Sequence, residues 1–168
     1  MTRGIRKMTI YEDQLDRHAF LGVLADAVDR HGWRCHAYCL MTNHYHALVQ
    51  TPEPNISEGM CRLNGVYARR FNARHLFEGH LFERRFRSEF IARESHLLEV
   101  VRYIELNPVR AGICPAPDDW PWSSYRAHAG LERPRSFLTT EWTLGLFAPR
   151  VEVARDAYRT FVRAGAAG

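Results

Sequence analysis

Two histidines separated by one residue, His44 and His46, have the clearest potential for chemistry in this chain. They flank Tyr45 at the start of an apolar run over residues 45–49, which predicts a β-strand. Alternation along a strand places both imidazoles on one face, roughly 6.5–7 Å apart between Cα atoms, with Tyr45 on the other face. Neutral imidazoles bind divalent metals, so this face could hold one ion. A half-exposed strand edge without a ligand is the alternative for two histidines taken alone.

A second pair of candidate side chains, Tyr103 and Asn107, lies one helical turn apart, so both share one face of a predicted helix. The amide oxygen of Asn107 could be a third metal ligand. The pKa of a free phenol is near 10, so a nearby cation or a metal-polarised substrate is needed to favour the Tyr103 phenolate and its attack on phosphorus. The alternative is that Tyr103 packs in the core and Asn107 ends the helix before Pro108.

Arginine supplies almost all of the positive charge. Lys7 is the only lysine among 23 basic residues, which exceed the 19 acidic residues and give a net charge of +4. Arginine binds phosphate through two parallel hydrogen bonds, and aromatic residues lie between several arginines, a mixture that suits single-stranded nucleic acid. A solvated helix face, an ordinary aromatic core and a GC-rich genome are the alternatives. The candidate DNA-binding residues are Arg62, Arg69, Arg70, Arg74, Arg84, Arg85, Arg87, Arg102 and Arg110.

Hydrophobic spacing predicts the order helix, strand, strand, helix, strand, helix for the elements that must position these residues. The predicted helices cover residues 13–30, 57–74 and 94–106, and the predicted strands cover residues 33–40, 45–50 and 87–91. This order fits an α/β (α+β) ferredoxin-like sandwich, with an antiparallel sheet and helices on one face, if one more strand precedes the first helix. A change in composition after Cys114 predicts a domain over residues 1–114 and a connector with a C-terminal extension over residues 115–168, including a helix near 151–162.

Composition excludes several classes of protein. Apolar residues make up 46% of the chain, too many for a disordered protein, and no apolar run approaches the ~20 residues of a membrane-spanning helix. The first residues lack the apolar core of a signal peptide, so we expect a cytoplasmic protein with free thiols. Cys35 and Cys39 would lie roughly 13 Å apart on one strand, which disfavours a structural zinc site.

Five longer strings carry a family resemblance. They are HAYCLMTNHYHALVQ (36–50), NGVYARRFNARH (64–75), GHLFERRFRS (79–88), RYIELNPVRAG (102–112) and DDWPWSSYRAHAG (118–130). The strings resemble the single-tyrosine HUH transposases, which are IS200-like, and most closely their branch of REP-associated tyrosine transposases. The resemblance runs in order over about residues 3–130.

The resemblance implies a ferredoxin-like fold and metal-assisted cleavage and rejoining of single-stranded DNA, on hairpin or repetitive palindromic elements. His44 and His46 match the paired metal ligands, and Asn107 matches a polar third ligand that is glutamine in other members. The implied ion is Mg²⁺ or Mn²⁺. Tyr103 matches the nucleophile, which would form a 5′-phosphotyrosine intermediate. The implied protein is a DNA strand transferase, as a monomer or a homodimer.

The chain departs from the family pattern at its start. Arg3 and Gly4 match the end of a first strand whose remainder is missing, so we expect an N-terminally truncated sheet that is less stable or is completed by another segment. This departure favours a rival function, a non-catalytic relative that only binds DNA hairpins. A metal phosphodiesterase that uses water is a third function, and it would not need Tyr103 in its position.

Overall fold

A hairpin of two long strands supplies most of a three-stranded antiparallel sheet. The computed structural model describes residues 1–83 and 85–166, with only the backbone of Glu94 and Ser95, so the predicted DNA-binding residue Arg84 lies outside the described residues. The strands are β1 (Thr2–Arg3), β2 (Arg34–Leu40) and β3 (His44–Gln50), and their order in the sheet is β1-β3-β2. The helices are α1 (Gln14–His31), α2 (Ile56–His75), α3 (Glu94–Arg110), α4 (Tyr125–His128), α5 (Thr140–Gly145) and α6 (Val151–Ala164), and single 3-10 turns cover Ile5–Lys7 and Pro117–Asp119.

The predicted mixed α/β class with an antiparallel sheet is confirmed, as is the helix in the C-terminal extension. The helix α3 runs four residues beyond its predicted end at Leu106 and contains Pro108. Proline removes a backbone donor and usually disturbs a helix. Here Pro108 lies in the last turn of α3, and the backbone N–H of Ala111 closes that turn by donating to the carbonyl of Asn107 at 2.9 Å.

The short strand β1 contains the expected end of a first strand. It pairs antiparallel with β3, with Thr2 opposite Tyr45 and Arg3 opposite His44. This register places β1 directly beside the first histidine of the candidate metal site. The start of β3 is therefore an inner part of the sheet.

The predicted strand over residues 87–91 is wrong, because these residues form no regular element. The segment that pairs along the outer edge of β1 begins earlier in the chain and reaches Arg87, whose backbone N–H donates to the carbonyl of Met1 at 3.0 Å. The backbone N–H of Ile5 donates to the carbonyl of Leu81 at 2.9 Å, and the N–H of Glu83 donates to the carbonyl of Arg3 at 3.0 Å. This pairing is made by backbone hydrogen bonds of β1. The side-chain pattern of a single segment does not predict which backbone groups it will pair with.

The chain divides into two compact units. The first unit comprises Met1–Arg34, Leu40–His46 and Gln50–Glu89, and the second comprises Cys35–Cys39, Ala47–Val49 and the described residues from Phe90 onward. The hairpin strands thus contribute residues to both units. The predicted division into residues 1–114 and 115–168 stays a prediction.

An aromatic cluster in the first unit holds β3 in register. The ring of Phe20 lies 4.5 Å from the ring of Tyr45 and 5.1 Å from that of Tyr67, between centroids. The Tyr45 hydroxyl donates to Asn64 Oδ1 at 2.6 Å and accepts from Thr2 Oγ1 at 3.2 Å. Tyr45 is therefore buried and hydrogen-bonded, which holds β3 in one orientation. Because side chains alternate along a strand, the two histidines then lie on the opposite face.

Ion pairs join the start of α1 to the end of α2 within the first unit. The Asp13 side chain caps α1 by accepting from the backbone N–H of Asp16 at 3.1 Å. The Arg74 guanidinium donates to Asp13 Oδ1 at 2.8 Å and to Asp16 Oδ1 at 2.5 Å. Arg74 thus bridges the two helices.

All four cysteines carry free thiols, with Cys35 and Cys39 buried. Among the described helices, none has the length and the apolar character needed to span a membrane.

Candidate active site

The two histidines of β3 lie together on one face of the strand, as alternation predicts. Their ring centroids are 5.1 Å apart and the ring planes meet at 77°. His46 is only 8% exposed, and His44 is half-buried. Tyr45 points into the aromatic cluster on the opposite face, as predicted.

Both imidazoles are held in the neutral form. Burial, followed by the nearby guanidinium of Arg3, lowers the pKa of His44 to about 4. Burial also lowers the pKa of His46 to about 3, with His44 as the next cause. A neutral imidazole offers a lone pair to a metal, so both side chains are in the ligand form at neutral pH.

A residue of the connecting turn, Asn43, sets the tautomer of His44. The Asn43 amide Nδ2 donates to the carbonyl of Lys7 at 3.1 Å, which directs Asn43 Oδ1 toward His44 Nδ1 at 2.7 Å. His44 Nδ1 therefore carries the proton, and Nε2 carries the lone pair that can bind a metal. Partners of this kind orient the ligands of metal sites.

The donor set fits a divalent ion that accepts nitrogen and oxygen ligands together. Within the described residues, no group of three or more His, Cys, Asp or Glu side chains could hold a metal, so an ion bound by the two imidazoles would need amide, water or phosphate oxygens as further ligands. On this chemistry Mn²⁺ fits better than Mg²⁺, because imidazole nitrogen is a softer donor than oxygen.

Tyr103 and Asn107 share one face of α3, as their spacing predicts. Tyr103 is 47% exposed, so it is not the core residue of the alternative interpretation. The Asn107 amide Nδ2 donates to the Tyr103 backbone carbonyl at 2.8 Å, which leaves Oδ1 as the amide atom able to bind a metal. The Arg110 guanidinium carbon lies 5.6 Å from the Tyr103 ring centroid, a cation beside the phenol.

The structure thus brings together the members of each pair. The histidines belong to the first unit, and Tyr103 and Asn107 belong to the second unit. The metal-ligand and nucleophile assignments of these residues stay predictions.

The predicted DNA-binding arginines fall into two groups. Those exposed on α2 and in the segment after it take part in no salt bridge among the described residues; they are Arg62, Arg69, Arg70, Arg85 and Arg87. Arg69 and Arg85 line a groove of about 890 Å³ in the first unit, together with Phe82 and Phe86. The other arginines have partners, since Arg74 pairs with Asp13 and Asp16, while Arg102 and Arg110 contact residues near the C-terminus.

Sequence reasoning missed a buried carboxyl on α3. Glu105 is fully buried, and its Oε1 accepts from Ser124 Oγ at 2.6 Å and from Tyr158 OH at 3.3 Å. Burial raises the pKa of Glu105 to about 8. The ring of His128 lies near this carboxyl, and burial lowers the pKa of His128 to about 4, so it is neutral. The signal was a glutamate at an otherwise apolar position of the α3 pattern.

Comparison with known proteins agrees with this fold. A solved structure entitled "Structure of the REP associates tyrosine transposase bound to a REP hairpin" superposes with a TM-score of 0.61 and 19% sequence identity, over 89% of this chain and 82% of that chain. At that identity the likeness shows the fold alone. A protein of Haemophilus influenzae described as a REP-associated tyrosine transposase is 29% identical over 107 residues. The match covers 57% of this chain and 61% of that protein, which is less than two thirds of its length.

The family assignment rests on a match that spans more than half of the chain. Residues 2–107 match the model of the family described as "Transposase IS200 like". The matched range contains β1, both histidines, Tyr103 and Asn107. The chain belongs to the IS200-like transposase family.

Proposed function

We propose that this chain is a cytoplasmic, metal-dependent DNA strand transferase that uses a tyrosine nucleophile to cleave and rejoin single-stranded DNA. The observation that carries the proposal is Tyr103, a phenol left 47% exposed on a helix whose opposite face is buried, with Arg110 beside its ring. Membership of a transposase family supports the proposal. So do the two neutral imidazoles of His44 and His46 on one face of β3.

The reaction is a phosphoryl transfer to the tyrosine. The Tyr103 oxygen attacks the scissile phosphorus, a P–O bond forms, and the bond from phosphorus to the 3′ oxygen breaks. The phenolic proton is transferred, in net terms, to that oxygen, which leaves as a 3′-hydroxyl. The DNA stays joined to Tyr103 through a 5′-phosphate, and this diester keeps the energy needed for another 3′-hydroxyl to rejoin the strand.

The residues of the two pairs have separate roles. His44 Nε2, the His46 imidazole and the Asn107 amide oxygen would hold Mn²⁺ or Mg²⁺, which supplies positive charge beside the scissile phosphate. Arg110, whose guanidinium lies beside the Tyr103 ring, would contact the negatively charged phosphate that Tyr103 attacks.

The proposed substrate is a DNA hairpin with single-stranded flanks. The solved relative is described as bound to a REP hairpin, which supports this class of substrate. The exposed arginines beside aromatic residues along the groove of the first unit are suited to phosphates and unstacked bases. These arginines would add an affinity that falls as salt rises.

The test uses a pool of single strands that carry a common hairpin, randomised flanking bases and a label at the 3′ end. A 5′-phosphotyrosine retains the 3′ part of the strand, so the wild-type protein with Mn²⁺ should give a labelled protein band on a denaturing gel. Tyr103→Phe should abolish the band. Tyr11→Phe, which removes the hydroxyl of a buried tyrosine in the first unit, is the matched control and should keep it.

The other outcomes decide against the proposal in different ways. Binding of the pool without cleavage would support the non-catalytic hairpin-binding relative. Cleavage that survives Tyr103→Phe would support a phosphodiesterase that uses water.

A further inference from the structure

Glu105 lies on the face of α3 opposite to the proposed nucleophile. Positions two residues apart on an α-helix differ by about 200° around its axis. Glu105 lies two residues from both Tyr103 and Asn107, so it points away from both. Tyr103 is 47% exposed, whereas Glu105 is fully buried. Its neighbours on the buried side, Val101 and Leu106, are also fully buried but apolar.

The carboxyl of Glu105 joins α3 to the C-terminal segment through directional contacts. Its Oε1 accepts from Ser124, which directly precedes α4, and from Tyr158 in the middle of α6. Ser124 is itself fixed, because its hydroxyl accepts from the backbone N–H of Tyr38 at 2.9 Å. Tyr158 is fully buried and stacks on His128, with 5.2 Å between ring centroids.

Further contacts join α6, and Gly165 directly after it, to arginines of α3. The Arg102 guanidinium carbon lies 4.6 Å from the Phe161 ring centroid. Arg110 donates to the carbonyl of Gly165 at 3.4 Å. A Cβ built at Gly165 would lie 2.6 Å from Cδ of Arg102, so a larger residue there would require the Arg102 side chain to shift.

Apolar packing alone does not require a buried carboxyl at this position. Replacing buried charged or polar groups by apolar ones is often neutral or stabilising, because desolvation costs about as much as the contacts return. Hydrogen bonds, however, restrict distance and angle, whereas apolar contacts tolerate sliding and rotation. A carboxyl bonded from two sides therefore fixes both the axial position and the rotation of α3.

We propose that Glu105 is a positioning residue for the reaction, and that the C-terminal helix α6, through Tyr158, braces α3 so that Tyr103 is presented in one orientation. The proposal rests on the proposed function for its catalytic consequence. It assigns a role to a segment whose purpose the sequence did not indicate.

The test compares variants that keep or remove the two hydrogen bonds. Glu105→Gln keeps a carbonyl oxygen that can accept from both donors. Glu105→Met removes the acceptor, and Tyr158→Phe removes the donor on α6. Thr143→Val, which removes another buried hydroxyl of the second unit, is the matched control. The measurements are the rate of covalent adduct formation, hairpin affinity, melting temperature and amide hydrogen exchange over residues 103–107.

We expect Glu105→Met and Tyr158→Phe to form the adduct about 10- to 100-fold more slowly, as misplaced reacting groups do. Their hairpin affinity should stay unchanged, the melting temperature of Glu105→Met should be equal or higher, and exchange over residues 103–107 should be faster. Glu105→Gln and Thr143→Val should match the wild type in all four measurements.

Each contrary result has one meaning. Unchanged exchange in both Glu105→Met and Tyr158→Phe would overturn the positioning role, whatever the enzyme does. Faster exchange with an unchanged adduct rate, or activity that merely follows melting temperature, would overturn its importance for the reaction. Failure of the wild type to form an adduct would instead overturn the proposed function, while hydrogen exchange would still decide whether Glu105 positions α3.

Discussion

At the scale of single residues, the turn amide of Asn43 controls what His44 can bind. Its Oδ1 fixes the His44 proton on Nδ1 and so leaves Nε2 for a metal. Removal of such an orienting partner typically weakens metal affinity by about 10- to 100-fold. We therefore expect Asn43→Ala to weaken Mn²⁺ binding by that factor, measured by the electron paramagnetic resonance signal of free Mn²⁺ during titration of the protein–hairpin complex.

Two variants separate orientation of His44 from loss of structure. Asn43→Asp keeps an oxygen acceptor for His44 Nδ1 and should keep most of the affinity. Asn72→Ala removes a different turn contact, the bond from its amide to the carbonyl of Gly79 at 2.9 Å, and should leave Mn²⁺ binding unchanged. If Asn43→Ala binds Mn²⁺ as the wild type does while His44→Ala does not, the orienting role is wrong.

The same residues show where sequence reasoning stops. Alternation was enough to place both histidines on one face of β3 and Tyr45 in the core. The role of Asn43 needed a contact with Lys7, 36 residues away in the chain. Glu105 was visible only as a polar position on an apolar helix, because its partners, Ser124 and Tyr158, lie 19 and 53 residues away. Long-range polar partners have no periodic signature in a single sequence.

At the scale of elements, local patterns predicted the long helices and the hairpin, but not the pairing of short segments. The helices α1 and α2 match their predicted ranges to within one residue at each end. The strand expected over residues 87–91 is absent. The backbone beside the outer edge of β1 starts near Leu81 and Glu83, and of the expected strand Arg87 hydrogen-bonds there, to Met1. A two-residue strand carries no periodicity of its own, so its neighbours decide its pairing.

Arg74 is the clearest case in which an element-level contact competes with a predicted DNA contact. Burial alone would raise the pKa of Asp16, but hydrogen bonds from His75 and Arg74 outweigh it and leave the pKa below its usual value. A carboxyl with a lowered pKa in the folded state adds stability above its unfolded pKa, near 4, and this stability is lost as the pH falls through the folded pKa. Asp16 is 2% exposed, so it depends on these partners.

We expect Arg74→Met to lower the free energy of unfolding by about 1–2 kcal/mol at neutral pH, because it removes one donor from a buried carboxylate that keeps others. The difference from wild type should shrink as the pH falls below about 4, the unfolded pKa of an aspartate, and through the lower pKa that Asp16 has in the folded state. Urea denaturation at several pH values measures both effects. Arg70→Met, at an exposed position of the same helix, is the control and should leave stability unchanged; a loss that persists unaltered at low pH would contradict the ion-pair explanation.

At the scale of the whole molecule, a net charge of +4 is small, so the placement of arginines matters more than their sum. Arg69 and Arg85 line one groove beside aromatic rings, whereas Arg74 is neutralised by two carboxylates. Only cations that replace condensed counterions on DNA contribute to the salt dependence of binding. Exposed and ion-paired arginines should therefore differ in this property even when both lie on α2.

Fluorescence anisotropy of a labelled single-stranded hairpin, titrated between about 50 and 200 mM salt, measures this difference. Each of Arg69→Ala and Arg85→Ala should lower the slope of log Kd against log salt by about 0.7, the value for one phosphate contact on a single strand, and the double variant by about 1.4. Arg74→Met should leave the slope unchanged, because its guanidinium already faces Asp13 and Asp16. Equal slopes for the double variant and the wild type would show that the groove does not bind the phosphate backbone, and a loss of slope in Arg74→Met would show that DNA displaces the carboxylates from Arg74.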